Sequence, residues 1–297
     1  MNVLIIGGTG FIGSHLVQQF ALMQCKVISL SRNCNSDNSI KNPHVNYIEG
    51  DLGDKDLLFK ITKGIDIIVH CGSSFKPQNP DKKGEENVNC KNLVESFFYN
   101  KVEKFVYFSS GGAVYGKHSS SPFKESDIPN PVSAYGKSKL KIENFLLREF
   151  IQHEEKLLIL RPSNPYGPPQ TNRVIPGVIP SILDLIKYKK SIKIYGDGSA
   201  YKDFIHINDL VKFTYNLLTN DRFGIYNIGS GKKMSINELV STIFKLTNNS
   251  SNIIYLDALS EDVSFFLCTE KVFLAQPHKN LINLEEGISS LWNKYYL

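Results

Sequence analysis

The chain has 297 residues, 41% hydrophobic and 21% charged, an ordinary globular balance that can build a sizeable core in one large domain or two smaller ones. Its 34 basic and 29 acidic residues leave a net charge of +5, and the densest basic cluster, Lys187, Lys189 and Lys190, is too short for a nucleic-acid patch. No CxxC pair occurs among the five cysteines and no two of the seven histidines lie three or four apart, so neither a disulfide framework nor a metal site is expected.

No apolar run approaches the length of about 18 residues that suggests a membrane span. Met1 leads almost directly into an apolar strand and a glycine turn, without a basic region or cleavage site. The expectation is a cytoplasmic protein with no membrane partner.

In chain order, apolar runs that read as buried strands cover Asn2 to Ile6, Lys26 to Leu30, Asn46 to Glu49, Asp66 to His70, Lys104 to Phe108 and Lys156 to Leu160. Amphipathic segments such as Phe11 to Met23 and Glu85 to Asn100 separate them. Strands buried on both faces and alternating with helices predict an α/β fold, a doubly wound parallel sheet. Six prolines between Pro162 and Pro180 then break regular structure. Short helices and strands follow, ending in a predicted helix from Leu284 to Tyr296. The expected division is a Rossmann domain over 1–162 and a smaller C-terminal α/β substrate-binding lobe over 163–297, with some chain returning to the sheet.

Gly7-Gly8-Thr9-Gly10-Phe11-Ile12-Gly13 follows the first strand and opens the first helix. Glycines allow the tight turn and a close approach to a pyrophosphate, and the N–H groups at the helix start favour a dianion. The cofactor-binding candidates here are Gly7, Thr9, Gly10, Phe11, Ile12 and Gly13. An NAD site commonly offers a carboxylate to the ribose at the end of the second strand. This chain has Ser31-Arg32 there instead. An arginine can neutralise the 2′-phosphate of NADP and Ser31 can donate to it, so NADP is the expected cofactor, with NAD possible. The alternative for Arg32 is an ordinary loop arginine. Asp51 and Leu52, after the third strand, suit the adenine edge, or form a plain turn.

Tyr135-Gly136-Lys137-Ser138-Lys139 places Tyr135 and Lys139 four residues apart, on one face of a helix. A free phenol with a pKa near 10 is a poor base at neutral pH, but a neighbouring ammonium favours its anion, so it can exchange a proton with a carbinol.

Together with the glycine turn, this pair resembles the extended short-chain dehydrogenase/reductases, especially the nucleotide-sugar epimerases, dehydratases and reductases. The resemblance covers nearly the whole chain: Asn87-Val88-Asn89, Phe108-Ser109-Ser110-Gly111-Gly112-Ala113-Val114-Tyr115-Gly116, Arg161-Pro162-Ser163-Asn164-Pro165-Tyr166-Gly167-Pro168, Gly196-Asp197-Gly198, Lys202-Asp203-Phe204-Ile205-His206, Tyr226-Asn227-Ile228-Gly229-Ser230-Gly231 and Leu284-Glu285-Glu286-Gly287. It implies Tyr135 as acid/base, Lys139 as its electrostatic partner and a ribose ligand, Asn89 on the cofactor side, and Asn164 and Lys202 on the sugar nucleotide. Asn164 as a turn cap and Lys202 as a surface lysine stay open. A homodimer through the helices carrying Asn89 and Tyr135 is also implied.

Three positions depart from the family pattern. The usual Ser or Thr hydroxyls are replaced by Gly111 and Ala113, leaving Ser110 as the nearest hydroxyl and the third catalytic and substrate-binding candidate. No Asp-Glu pair follows, which argues against a 4,6-dehydratase, and Ala113 and Pro169 stand where a GDP-fucose-synthase-type enzyme has Cys and His. Leu259 stands three residues before Asp262-Val263, where an arginine commonly meets the diphosphate.

The expected function is oxidoreduction at C4 of a nucleotide sugar: NADPH-dependent reduction of a nucleotide-linked 4-keto-6-deoxyhexose, such as a dTDP-linked 4-hexulose, for surface-polysaccharide sugars. One alternative is a 4-epimerase of the UDP-glucose or UDP-GlcNAc type. Another is a non-catalytic, dinucleotide-sensing protein, against which the retained Tyr135 and Lys139 argue.

Overall fold

The computed structural model describes residues 1–34, 39–72, 85–116, 122–169, 177–258, 264–276 and 280–297. Pro176, Leu259, Asp262 and Val263 lie outside the described residues, as do the side chains of Asn87 and Val88.

The six strands read from the sequence form within two residues of their expected bounds: β1 (Asn2–Ile6), β2 (Lys26–Ser31), β3 (Val45–Glu49), β4 (Ile67–His70), β5 (Lys104–Phe108) and β6 (Leu157–Pro162). They join a seven-stranded sheet in the order β3-β2-β1-β4-β5-β6-β11, in which every neighbouring pair is parallel and β11 is Gly224–Ile228. The order reverses between β1 and β4, which opens a crevice at the carboxyl ends of those strands.

Alternation along each strand supplies both faces with apolar side chains. Val3, Ile5, Val69, Val106 and Phe108 pack against α1 (Phe11–Leu22) and α7 (Ile207–Thr219), through Leu16, Phe20, Leu210 and Phe213. Leu4, Ile6, Ile68, Phe105 and Tyr107 face α3 (Glu85–Tyr99) and α5 (Ala134–Glu149), through Leu93, Phe97, Ile142 and Leu146. Each such side chain contributes about 1.5–3 kcal/mol on burial, so the two layers fix the sheet edge that carries the site.

A separate core holds the C-terminal lobe, where Ile182 and Leu183 of α6 (Val178–Lys187) meet Leu239 and Ile243 of α8 (Ile236–Thr247), Ile288 and Leu291 of α10 (Leu284–Leu291), and Trp292. The lobe and the sheet share chain. β11 returns to the sheet after the lobe has begun, and α7, immediately before it, covers the face that α1 also covers. Among the described residues no helix is long and apolar enough to cross a membrane.

Candidate active site

The glycine turn between β1 and α1 is folded on itself, the Gly10 amide donating to the Gly7 carbonyl at 2.9 Å. Gly7 has φ +81°, and a Cβ there would stand 2.7 Å from the Gly72 Cα. A Cβ on Gly13 would collide with the Gly7 carbonyl, so the first turn of α1 is pressed onto the turn that precedes it. Gly10 caps α1 without a side-chain hydrogen bond, leaving the helix start to an incoming acceptor. This cradle fits a pyrophosphate. Phe11, Ile12 and Gly13 form that first turn.

The cavity beside it, about 520 Å³, is lined by Gly7, Thr9, Gly10, Ser31, Arg32, Asp51, Leu52 and Asn89, eight positions drawn from four separated stretches of sequence. Ser31 is buried and its Oγ accepts from the Thr9 amide at 3.2 Å. Arg32 is exposed on the rim. Asp51 Oδ1 accepts from the Gly53 amide at 2.9 Å and from Asn89 Nδ2 at 3.5 Å, so it forms a local turn and also faces the cavity. Asn33, His70, Cys71, Gly72 and Ile142 line it as well, and sequence reasoning did not single them out. The end of β4, opposite the glycine turn at the strand reversal, was the available signal for His70 to Gly72. Burial pushes the Cys71 thiol up to about 12, against the opposing charge of Lys139, so it is a neutral wall rather than a nucleophile.

Ser133 caps α5, its Oγ accepting from the Gly136 amide at 3.0 Å, and this starts the helix at Ala134, one residue before Tyr135. Tyr135 is half-buried and Lys139 is buried. The Lys139 ammonium donates to the Phe108 carbonyl at 3.0 Å and lies 5.1 Å from the Tyr107 ring centroid and 5.7 Å from that of Tyr135. The ammonium is thereby held at the carboxyl end of β5, beside the Tyr135 ring.

Ser110 is the N-cap of the short helix α4 (Gly111–Val114), half-buried and with no side-chain capping bond. α4 lies directly on α5, where a Cβ on Gly136 would collide with the Ala113 carbonyl. The serine segment and the Tyr135 helix are therefore held together. Asn164, in β7 (Asn164–Tyr166), donates from both its backbone amide and its Nδ2 to the Asp203 carbonyl, at 3.0 and 2.9 Å. Lys202, in β9 (Tyr201–Lys202), places its ammonium 5.8 Å from the Phe265 ring centroid, and that ring packs on Gly112. Asn164 and Lys202 are thus neighbours through residue 203, and Lys202 is linked by Phe265 to the serine segment. Among the described residues no three His, Cys, Asp or Glu side chains cluster as a metal site would require.

Three buried carboxylates, Asp203, Asp209 and Glu143, escaped the sequence reading. Asp203 accepts from the Ser230 amide and hydroxyl at 2.9 and 2.7 Å, the Gly231 amide at 3.2 Å and the Leu267 amide at 3.3 Å. Glu143 takes three hydrogen bonds from Arg161, and both side chains are buried.

Residues 3–229 match the NAD dependent epimerase/dehydratase family, three quarters of the chain. This chain belongs to that family, within the extended short-chain dehydrogenases/reductases, and is therefore of an enzyme lineage. It is 34% identical to the dTDP-4-dehydro-6-deoxyglucose reductase of Escherichia coli, with 98% of this chain and 96% of that one covered. It is 32% identical to a Methanocaldococcus jannaschii protein named "Putative UDP-glucose 4-epimerase", covering 98% and 97%. Among solved structures, MoeE5 in complex with UDP-glucuronic acid and NAD is 28% identical and superposes with a TM-score of 0.86 over the whole of both chains.

Proposed function

We propose that this chain reduces the C4 keto group of a nucleotide-linked 4-keto-6-deoxyhexose with NADPH. The observation that carries the reading is the end of β2, where the Ser31 hydroxyl oxygen is held by the Thr9 amide and Arg32 stands exposed at the cavity rim, with no carboxylate at either position. A 2′-phosphate is accepted where a carboxylate would repel it, and a guanidinium there adds a charge-assisted hydrogen bond. The similarity to the reductase of Escherichia coli supports the same choice.

In this reading Gly7 to Gly13 hold the pyrophosphate, Ser31 and Arg32 the 2′-phosphate, and Asp51, Leu52 and Asn89 the adenosine side. Bound there, the dinucleotide supplies the hydride. Tyr135 Oη gives its proton to the forming C4 alkoxide, Lys139 holds the charge beside it, and Ser110 donates to the same oxygen. Asn164 and Lys202 bind the sugar nucleotide, Lys202 as a cation toward its diphosphate. The assembly is a homodimer through α3 and α5, a reading supported by the exposed Tyr99, Leu147 and Ile151 on or just after those helices.

The 4-epimerase reading uses the same Tyr135 and Lys139 and retains tightly bound NAD. It is favoured by the methanogen relative's name and by the NAD in the MoeE5 complex. Mass and absorbance analysis of the purified protein for bound dinucleotide separates the two, followed by stoichiometric loss of NADPH absorbance with a dTDP-linked 4-keto-6-deoxyhexose. An empty site and one NADPH consumed per ketone reduced are expected. Co-purified NAD with C4 inversion of a UDP-hexose would replace the reductase by the epimerase.

A further inference from the structure

Glu143 lies four residues beyond Lys139 and eight beyond Tyr135 on α5, so the three share one helical face, with Glu143 about 6 Å and about 12 Å along the axis from the other two. It is fully buried, and Arg161, one residue before the end of β6, meets it with Nε on both carboxylate oxygens at 3.1 and 3.2 Å and Nη2 on Oε2 at 2.6 Å. The remaining guanidinium nitrogen, Nη1, donates to the Tyr115 hydroxyl at 3.0 Å, and Tyr115 caps the C-terminus of α4. The Tyr115 hydroxyl in turn donates to Asn227 Oδ1 at 2.7 Å, and Asn227 Nδ2 donates to the Phe123 carbonyl at 2.9 Å. Burial pushes the Tyr115 phenol up to about 12, against the opposing pull of Arg161, which keeps it a proton donor in this chain of bonds. One guanidinium therefore joins the helix that carries Tyr135, the end of the serine segment, and the strand that leads to Asn164.

A fork of this kind fixes distance and rotation together, which a lysine at the same place would not. A buried pair is a poor source of net stability compared with apolar packing, so its presence here calls for a second explanation.

We propose that Glu143 and Arg161 are positioning residues for the C4 chemistry: the pair sets the height of Tyr135 and Lys139 against the Ser110 segment, and Arg161 cancels a carboxylate that would otherwise act on them. The proposal rests on Tyr135 being the acid/base. Around the pair, the Tyr107 ring of β5 lies 5.1 Å from the Lys139 ammonium and the neutral thiol of Cys71, after β4, feels the Lys139 charge; Glu143, on the same face of α5, is joined to Arg161 of β6, and Arg161 in turn to Tyr115 at the end of α4.

The signs follow from this arrangement. In ketone reduction Tyr135 must carry its proton, and the alkaline limb of the rate profile marks the loss of that proton. In Arg161→Met the bare Glu143 carboxylate disfavours a phenolate, and the limb moves to higher pH by about 0.5–1 unit. Glu143→Gln leaves the guanidinium uncompensated, and the limb moves down by a similar amount. The doubly neutral Glu143→Gln/Arg161→Met returns the limb to its original place but has lost the fork, so kcat stays about tenfold low while substrate KM and dinucleotide Kd hold.

The experiment is a set of kcat profiles against pH for the wild type, Tyr135→Phe, the two single variants, the double variant and Arg161→Lys, with melting temperatures measured alongside. Opposite limb shifts in the single variants and a low-kcat double variant are the expected results. Shifts in the same direction, no shift, or a double variant with full kcat would overturn the proposal. If a single variant does not fold, the double variant and Arg161→Lys decide it: Arg161→Lys is expected to keep the limb and lose kcat, and full kcat in both would reduce the pair to packing. An active Tyr135→Phe would instead remove the reading on which the proposal rests, and it is recognised separately.

Discussion

The Ser31 hydroxyl accepts a hydrogen bond from the Thr9 amide at 3.2 Å, so the last residue of β2 holds the glycine turn in place as well as lining the cavity. One lone pair of its oxygen is taken by that amide, and its proton stays available to a ligand. In the proposed reading, that proton and the guanidinium of Arg32 are the groups that meet a 2′-phosphate.

Arg32→Ala is accordingly expected to weaken NADPH binding about tenfold to 150-fold, from a charge-assisted contact of roughly 1.5–3 kcal/mol, with little change for NADH. Ser31→Asp goes further. Its carboxylate can still accept from the Thr9 amide, so the turn survives, while it repels the phosphate and accepts from the free ribose hydroxyls of NADH. Dissociation constants of both cofactors for the wild type and the two variants are the measurement. Equal or tighter NADH binding by the wild type would remove the role given to Arg32 and favour the epimerase reading.

Tyr135→Phe keeps the ring and removes the transferable proton, so kcat should fall by roughly 100-fold or more with dinucleotide binding intact. Lys139→Ala should lose comparable activity and bind dinucleotide more weakly, because the buried Phe108 carbonyl also loses its 3.0 Å donor at the sheet edge. Single-turnover rates and dinucleotide titrations of both variants test the pair. Near-normal turnover in Tyr135→Phe would be decisive against the assignment.

For the missing family hydroxyl, Ser110→Ala should lower turnover by roughly tenfold to 1,000-fold if Ser110 polarises the keto oxygen. Gly111→Ser should not compensate, because its Cβ would sit 2.8 Å from Leu267 Cδ1 and 3.1 Å from the Arg161 carbonyl. Ser109→Ala is the comparison. The Ser109 Oγ is enclosed without a partner among the described residues, so the variant should turn over normally and be no less stable. Steady-state rates and melting temperatures decide, and equal losses at Ser109 and Ser110 would argue against a specific role for Ser110.

Much of the fold was legible because buried parallel strands leave continuous apolar runs, and all six predicted strands fall in one sheet. β11 was not read as part of that sheet. Gly224-Ile225-Tyr226-Asn227-Ile228 is short, follows the lobe's first elements, and owes its place to pairing with Leu158 to Pro162, a relation that local pattern does not carry. Gly7, Ser31 and Asp51 were read from their places at strand ends and Asn89 from the family resemblance, and the structure brings all four to one cavity. Glu143 and Asp203 were not singled out as buried carboxylates, since a glutamate on an amphipathic helix or an aspartate beside a strand gives no sign of burial. Their partners, Arg161 and the Ser230-Gly231 turn, are 18 and 27 or more residues away along the chain. Contacts of that range come from topology.

The last prediction concerns acid stability. His206 caps α7, its Nδ1 accepting from the Asn208 amide at 3.3 Å, and the ring stands edge-on to Tyr166. Burial lowers its pKa from 6.5 to about 4, with Asp209 opposing and His15 and Lys212 adding to the shift. Because the folded value lies below the unfolded one, the unfolded chain takes up a proton near pH 6.5 that the folded chain refuses until about pH 4. Stability from this group is therefore complete above pH 6.5 and is lost as pH falls toward 4, at a rate of up to about 1.4 kcal/mol per pH unit and roughly 3 kcal/mol in all. His206→Asn keeps a side-chain cap for α7 and removes the titration. The variant should be less stable than the wild type, or equal to it, at pH 7.5, and should gain on it steadily between about pH 6.5 and pH 4.5. Denaturant midpoints of both proteins across that range are the test. A constant difference at every pH would mean that His206 takes up its proton equally well in the folded and unfolded chain.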